Sequence, residues 1–375
     1  VSYGVHVGRG IRLSGQGKHP RQASGHLDGR FGLVSGRHLF LVPEIPFATV
    51  AVDFRVPEGA AVVAPWARGS PYRPRVYPGS RDEDLVNATI GLGGFDHRHI
   101  EQDGNPLDVY LYGGWPEAHR DALARTTARI YAYVNALFGA HDTNRSTVIL
   151  TPKTPDGLDI ATSASGAGFG MEMEPALPVR WVLMAAHMAD RYLRYQPHGM
   201  RFYREQDLWF PEGVAFYYGM KTAADAGVLP DVDQYLRDVY LTYNEGILSV
   251  YAQIPYGIRE WHKLAAPSLT EMRRAIGVVL THQLEAVIAQ ASGGEGSLSE
   301  ALPRLSRTRD VKSLPEALSE ATGADLAGFY ARTVQPDRPR EIPFPGDTTF
   351  AGMLARVSDT LTRAVVNNTG VIEAN

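Results

Sequence analysis

The sequence predicts an α+β protein with an antiparallel β domain at the N-terminus, a mixed α/β region and a helical region at the C-terminus. Up to about residue 113, short apolar runs alternate with Gly and Pro clusters, which is typical of antiparallel strands joined by turns. After Gly113-Gly114 the apolar residues recur at helical spacing over long stretches. A chain of 375 residues is also longer than one small core requires, which favours more than one domain.

The first predicted domain, residues 1–113, carries strand signals at 39–42, 48–52 and 109–112. These runs are apolar, partly β-branched or aromatic, and bounded by Gly and Pro. Residues 66–83 are rich in Pro, Arg and Gly, which predicts a long loop. We therefore expect a β-sandwich-like domain.

The second predicted domain, residues 114–292, has a helical pattern first and then alternates strands with helices. A strand is predicted at 146–150 and an extended Gly-rich stretch at 166–174, with helices at about 116–138, 176–195, 207–226, 230–245 and 268–292. The third region, residues 293–375, begins at Gly293-Gly294, where the preceding helix stops. It contains short helices near 297–306, 313–322 and 324–333, a Pro-rich linker at 334–348 and a terminal segment that we expect to pack on the body.

Composition excludes several classes of function. Hydrophobic residues make up 44% of the chain and charged residues 21%, as in ordinary folded proteins rather than disordered ones. The formal net charge of −4 gives no basic excess for nucleic-acid binding, and we predict no nucleic-acid partner. No run of 18 apolar residues exists, so no membrane span is predicted. Without cysteine the chain has no disulfide, no Cys-ligated metal and no thiol nucleophile.

The most informative stretch joins a histidine on one predicted helix to a glutamate on the next. His187 lies in an apolar helical run, and Glu212 follows 25 positions later within Trp209-Phe210-Pro211-Glu212-Gly213. Pro211 suits the first helical position because its missing N–H has no partner there. Glu212 then falls in the first turn, where the helix dipole favours a carboxylate.

This arrangement resembles the gluzincin (thermolysin-like) metallopeptidases, and within them the glycyl aminopeptidase-like family. Those proteins carry H-E-x-x-H on one helix and W-x-x-E-G on the next, which residues 209–213 match. Residues 168–173 look like the G-x-M-E edge strand that lines the family's substrate cleft. The resemblance covers about residues 114–335. It implies a thermolysin-like α/β catalytic-type domain with a cleft for a small-molecule or peptide ligand.

The zinc motif of that family is broken in this chain. If His187 takes the second His position, Leu183 replaces the first His and Met184 the catalytic Glu. If His187 is the first His, Met188 replaces the Glu and Arg191 the second His. Either alignment leaves two ligands, whereas catalytic zinc requires three protein ligands. Arg273-Arg274 stand near the family's transition-state tyrosine, which also looks lost. We therefore predict no metal ion and no organic cofactor.

The remaining groups still offer chemistry. His187 and Asp190 are close on one helix, and Glu172 and Glu212 are expected to approach from the strand and the next helix. A histidine with carboxylates can act as an acid–base set without metal. We predict His187, Glu212, Asp190 and Glu172 as catalytic residues. The resemblance adds four residues that would contact substrate: Gly170, Met171, Trp209 and Tyr217.

Three functions remain open at this point. The first is a repurposed, metal-independent acid–base enzyme that hydrolyses, cyclises or isomerises a small, partly apolar molecule. The second is a non-catalytic pseudo-peptidase that binds a peptide or a protein, with strand addition along residues 168–173. The third is a zinc aminopeptidase whose third ligand comes from His97, His99 or His198. For His97 and His99 themselves, we expect a solvated loop rather than a metal loop.

Overall fold

The fold is described from a computed structural model. The description covers the following residues: 11–14, 22–27, 31–36, 39–40, 52, 54, 56, 58–65, 88–139, 146–152, 159–165, 168–195, 200–202, 207, 209–249, 268–308, 310–334, 342 and 344–345. Among them, no helix is both long and apolar enough to cross a membrane. The predicted loop at 66–83 and terminal segment at 349–375 lie outside these residues, as does nearly all of the predicted linker at 334–348.

A ten-stranded sheet forms the centre of the molecule. Its strands are β1 (Ile11–Ser14), β2 (Gln22–Leu27), β3 (Gly32–Ser35), β4 (Ala61–Val63), β5 (Thr89–Gly93), β6 (Phe95–Gln102), β7 (Asn105–Tyr112), β8 (Ser146–Pro152), β9 (Asp159–Ser165) and β10 (Gly168–Met173). The spatial order is β4-β5-β3-β2-β9-β10-β8-β7-β6, and β1 pairs with β2 off this path. A second, two-stranded sheet joins β11 (Arg201–Phe202) to β12 (Asp310–Val311).

Strand direction divides the large sheet into two parts. The strands β7, β8 and β10 run parallel to one another, and a helix at Glu117–Leu137 connects β7 to β8, as expected for a βαβ arrangement. The pairs among β1 to β5 are antiparallel. Because β7 pairs with β8 and β2 pairs with β9, one continuous sheet crosses the predicted domain boundary at residue 113. The molecule is therefore an α+β protein, as predicted from the sequence.

The predicted strand at 39–42 is wrong at the two residues that the structure describes. Leu39 and Phe40 lie in a turn, where both backbone N–H groups donate to the carbonyl oxygen of Gly36 at 2.9 and 2.8 Å. Gly36 directly follows β3 and accepts both bonds, so local hydrogen bonding prevails over the strand preference of these apolar residues. Residues 41–42 and 48–51 lie outside the described part of the chain.

The helices follow the sequence prediction closely. They are α1 (Glu117–Leu137), α2 (Pro178–Asp190), α3 (Trp209–Asp225), α4 (Val232–Ser249), α5 (Ser268–Ala291), α6 (Leu298–Leu305) and α7 (Leu314–Thr322). A π-helical turn, Arg191–Tyr195, extends α2, and a short helix at Ala327–Phe329 continues into a second π-helical turn. Pro178 occupies the start of α2, where its missing N–H leaves no bond unmade.

The two faces of the sheet are covered differently. Alternate residues of the strands point to opposite faces. Val148 and Leu150 of β8 join the large core beneath the helices, whereas Ile149 packs with Leu33 and Phe31 of the N-terminal strands. The N-terminal strands thus cover the face that the helices leave open, which buries both faces of the central strands.

Candidate functional site

The candidate site is built where α2 and α3 pack together. A Cβ on Gly219 of α3 would lie 2.8 Å from the backbone nitrogen of Ala186 and 3.0 Å from the carbonyl oxygen of Val182 on α2. This close approach fixes which side of α3 faces α2. Glu212 and Phe216 lie seven and three residues before Gly219, so all three share that side of the helix. Both side chains are half-buried, although most of α3 is fully buried.

Helix α2 carries a matching row of half-buried residues. Leu183 and His187 are one turn apart and directly follow Val182 and Ala186, the two residues that Gly219 approaches. The ring centroid of His187 lies 6.4 Å from that of Phe169 on β10. The row therefore lies between the sheet and α3, and it carries one imidazole.

The two rows meet along one line. Helix α3 contacts both α2 and the π-helical turn that follows α2. Glu212 lies on the side of α3 that Gly219 presents to α2, and His187 lies beside Ala186 on the row that α2 presents. We call the line bordered by Leu183, His187, Glu212 and Phe216 the α2–α3 seam. It combines one imidazole, one carboxylate and two apolar side chains at partly accessible positions.

The sequence interpretation counted Phe216 among the aromatic residues near the site without assigning it as a site residue, and it treated Arg274 only as standing where a tyrosine would align. The guanidinium of Arg274, on α5, lies 4.7 Å from the ring centroid of Phe216, within cation–π range. Arg274 also lies near Tyr235 of α4. Burial raises the pKa of Tyr235, and the positive charge of Arg274 opposes that rise. The i, i+4 spacing of Glu212 and Phe216 was the available signal, because it places both on one helix face.

Glu172 does not reach the seam. In β10, Phe169, Met171 and Met173 belong to the large core beneath the helices, which we call the helix-side core. Glu172 therefore points to the opposite face of the sheet. Gly170, two positions earlier on the same face of β10, lies against Leu33 of the N-terminal strands. Glu172 as a whole is 1% exposed. The predicted convergence of Glu172 with His187 is therefore wrong.

The predicted edge strand is also wrong, because β10 is an inner strand. It pairs in parallel with β8 on one side and antiparallel with β9 on the other. All six residues are buried. A Cβ on Gly170 would lie 2.6 Å from a methyl carbon of Leu33, and Met171 is 1% exposed. Neither Gly170 nor Met171 borders the seam, and β9 occupies the side on which a peptide strand was expected.

Three further predicted residues are buried. Asp190 ends α2 and is 8% exposed, and Trp209 is fully buried in the helix-side core. Tyr217 is 5% exposed, and its ring stacks on His282 at 5.8 Å between centroids. Burial raises the pKa of Tyr217, and the nearby carboxylate of Glu285 raises it further. Of the eight predicted site residues, only His187 and Glu212 border the seam.

The structure also separates the two alignments of the broken zinc motif. Leu183 lies on the same half-buried row as His187. Arg191 is 5% exposed, its Nη1 donates to Ser146 Oγ at 2.8 Å, and its guanidinium lies 5.6 Å from the Tyr131 ring centroid. Arg191 therefore points toward α1 and β8 and away from the seam. This favours the alignment in which Leu183 holds the first His position and His187 the second.

The residues at the seam do not fit a zinc site of the expected kind. His187 and Glu212 offer two donors, and Leu183 offers none. Nowhere in the described ranges do three or more His, Asp or Glu side chains form a group that could hold a metal ion. His198 lies outside those ranges.

His97 and His99 lie on strand β6, so the expectation of a loop is wrong. Both rings are on one face of β6, as their i, i+2 spacing dictates. His97 Nε2 and His99 Nδ1 each contact the same oxygen of Asp108, at 2.8 and 3.0 Å. The carboxylate of Asp108 comes from the neighbouring strand β7 and holds both rings at the surface, apart from the seam.

The fold has relatives among solved structures. An aminopeptidase N family protein from Idiomarina loihiensis is 15% identical with a TM-score of 0.67, over 84% of this chain and 60% of that one. An M1 zinc metallopeptidase from Deinococcus radiodurans is 17% identical with a TM-score of 0.50, over 77% and 65%. Yeast LTA4 hydrolase in complex with Bestatin is 11% identical with a TM-score of 0.50, over 76% and 46%.

Sequence comparison gives no relative. No family model matches the chain, and no curated protein matches it. The chain spans about 60% of the length of the Idiomarina protein. At these identities the likeness establishes the fold alone. The predicted gluzincin-type fold is thus confirmed as an aminopeptidase-like architecture.

Proposed function

We propose that this aminopeptidase-like chain is a metal-independent acid–base enzyme that acts at the α2–α3 seam on a small, partly apolar molecule. The observation that carries the proposal is the pairing of His187 and Glu212 as half-buried titratable groups on adjoining helices. Around them, the two helices are mostly buried and apolar. Polar groups kept partly accessible in such surroundings are typical of working sites.

The residue types fit proton transfer. An imidazole changes protonation near neutral pH, and a carboxylate remains ionised there, so His187 and Glu212 supply a base and a charged partner. In the proposed reaction His187 takes a proton from the bound molecule, and Glu212 stabilises the imidazolium or the cationic part of the ligand. Leu183 and Phe216 border the same seam and supply apolar contact. The substrate therefore combines an apolar body with an exchangeable proton.

The residues at the seam favour metal-independent chemistry over zinc chemistry. A zinc peptidase uses its metal to lower the pKa of bound water and a glutamate to accept the proton. Leu183 has no donor atom, and Met184 is fully buried and cannot act as a base. The seam offers an acid–base pair in place of a metal and its base.

The test measures turnover without metal. Purified protein is assayed with and without a chelator against aminoacyl anilides, esters and small lactones. The variants are His187→Gln and Glu212→Gln, and the matched control is His119→Gln at an exposed position of α1. We expect turnover that survives chelation and falls by about 10²-fold or more in both seam variants but not in the control. Turnover that requires added zinc would restore the zinc aminopeptidase and overturn the proposal.

A second candidate, a non-catalytic pseudo-peptidase that binds a small molecule or peptide, is favoured by Leu183. This residue packs against the helix-side core at the place where the resemblance puts a metal ligand. Bestatin, the ligand in the yeast LTA4 hydrolase structure, is a suitable probe. If bestatin or a tripeptide binds with equal affinity to wild type and both seam variants, and no substrate turns over, the binding function replaces the enzymatic one.

A further inference from the structure

A second site lies between α4 and α5, on residues that the seam does not use. Asn244 of α4 is fully buried and hydrogen bonds to both backbone groups of Ile342. Its Nδ2 donates to the Ile342 carbonyl oxygen at 2.9 Å, and its Oδ1 accepts the Ile342 N–H at 3.0 Å. A neighbouring β-strand offers the same two bonds to a paired residue. Asn244 thus recognises the backbone of this residue independently of the side chain that it carries.

Two positions later in the chain, the aromatic side chain of Phe344 lies in a pocket between α4 and α5, which we call the aromatic box. Phe344 is 7% exposed, and its ring packs edge-on against Tyr240 at 5.4 Å between centroids. His282 of α5 lies 6.2 Å away on another side. The guanidinium of Arg237 lies 4.0 Å from the ring centroid of Phe344, which adds a cation–π contact. These contacts select an aromatic residue at this position.

The walls of the box are held by contacts that do not involve the segment. The hydroxyl of Tyr240 hydrogen bonds to His282 Nδ1 at 2.9 Å and accepts from Gln283 Nε2 at 2.9 Å. The His282 ring in turn stacks on Tyr217 of α3. Tyr240 and His282 are therefore held in place by residues of the helices themselves, and a site that is preorganised in this way binds with less loss of entropy.

We infer that Arg237, Tyr240, Asn244 and His282 form a peptide-recognition site, and that Ile342 and Phe344 belong to its resident ligand rather than to an inseparable part of the fold. The ligand class is a short peptide with an aromatic residue two positions after the one that pairs with Asn244.

The test removes the Phe344 side chain from the site and supplies the same segment as a separate peptide. The full-length Phe344→Ala variant is titrated with the labelled peptide Arg-Glu-Ile-Pro-Phe-Pro, which reproduces residues 340–345. We expect the peptide to bind this variant about tenfold or more tightly than wild type, where the tethered segment competes at high effective concentration. The same peptide with Ala in place of Phe is the control ligand. Adding Arg237→Ala to the Phe344→Ala variant is expected to weaken binding because the cation–π contact is lost.

A second variant guards against a folding defect. Ile342→Pro removes the N–H that donates to Asn244, so it also releases the segment. Peptide binding to Ile342→Pro is expected to match that to Phe344→Ala. Equal affinity for wild type and both variants would place the peptide elsewhere and overturn the inference. Absence of binding to both folded variants, or loss of the folded state in both, would show that the segment is an integral part of the fold and would overturn it as well.

Discussion

The glycine of the W-x-x-E-G motif makes a sharp prediction, because α3 crosses α5 at that residue. A Cβ on Gly213 would lie 2.2 Å from the carbonyl oxygen of Gly277 and 2.7 Å from its Cα. These neighbours are backbone atoms, which cannot rotate out of the way as a side chain can. A Gly213→Ala variant therefore requires the two helices to separate by about 1 Å before ordinary contact distances return.

The expected loss of stability follows from this geometry. Inserting one methyl group into a packed core typically costs about 1–3 kcal/mol. Since backbone opposes backbone at this crossing, we expect the upper end, about 3 kcal/mol, for Gly213→Ala. Urea unfolding followed by tryptophan fluorescence measures it, and Trp209, in the same motif, is fully buried. The matched control is Gly113→Ala, since a Cβ there meets nothing within 4 Å and the change should fall within about 0.5 kcal/mol.

A double variant tests the crossing itself. A Cβ on Gly277 would lie 2.7 Å from Gly213 Cα, so either substitution opens the same gap. Once the helices have separated, the second methyl group costs less, and we expect Gly213→Ala/Gly277→Ala to cost about 1 kcal/mol or more below the sum of the single changes. Strict additivity, or a Gly213→Ala variant as stable as wild type, would refute a close crossing.

Three further predictions concern the same helices. Burial lowers the pKa of His282, with help from the charge of Lys221, below its unfolded value near 6.5. The unfolded chain then binds more protons than the folded chain, so the urea midpoint should fall as pH drops from about 7.5 through about 6.5. The His282→Gln variant should show a smaller fall. Equal slopes of urea midpoint against pH for the variant and wild type would contradict this. Tyr218→Phe removes the hydroxyl that donates to Glu285 and should cost about 1–2 kcal/mol; an unchanged midpoint would count against that bond. Gly219→Ala, whose Cβ would meet the α2 backbone at 2.8 Å, should cost about 2 kcal/mol in the same urea assay, and a neutral effect would mean that α2 and α3 are further apart.

The helices were predictable because their signals are local. The apolar spacing that predicts a helix at 116–138 corresponds to α1, and Gly293-Gly294 follows the end of α5 at Ala291. The position of β10 in the sheet was not predictable in this way. Its neighbour β9 is a separate segment whose pairing depends on the whole sheet, and no feature within residues 168–173 records it.

The candidate site includes two residues that the sequence singled out, and their catalytic roles stay predictions. His187 and Glu212 follow from the motif and its spacing, and the seam contains both. Glu172 was assigned to the wrong face, although the signal was present. In Gly168–Met173 the bulky apolar residues alternate with Gly and Glu, so Phe169 and Met171 face the helices and Glu172 faces away. The accessibility of Asp190 depends on tertiary packing at the end of α2, which local sequence does not specify.

The continuity of the large sheet has a consequence for biosynthesis. Gln22 of β2 pairs with Asp159 of β9, a partner 137 positions further along the chain. At a translation rate of about 10 residues per second, β2 waits about 14 s for that partner to be made. Pairing over such a distance is also slow because a long loop must close first. The N-terminal strands are therefore the part of the chain most in need of protection from association with other nascent chains, and a fragment ending at residue 113 would leave them with an unpaired edge.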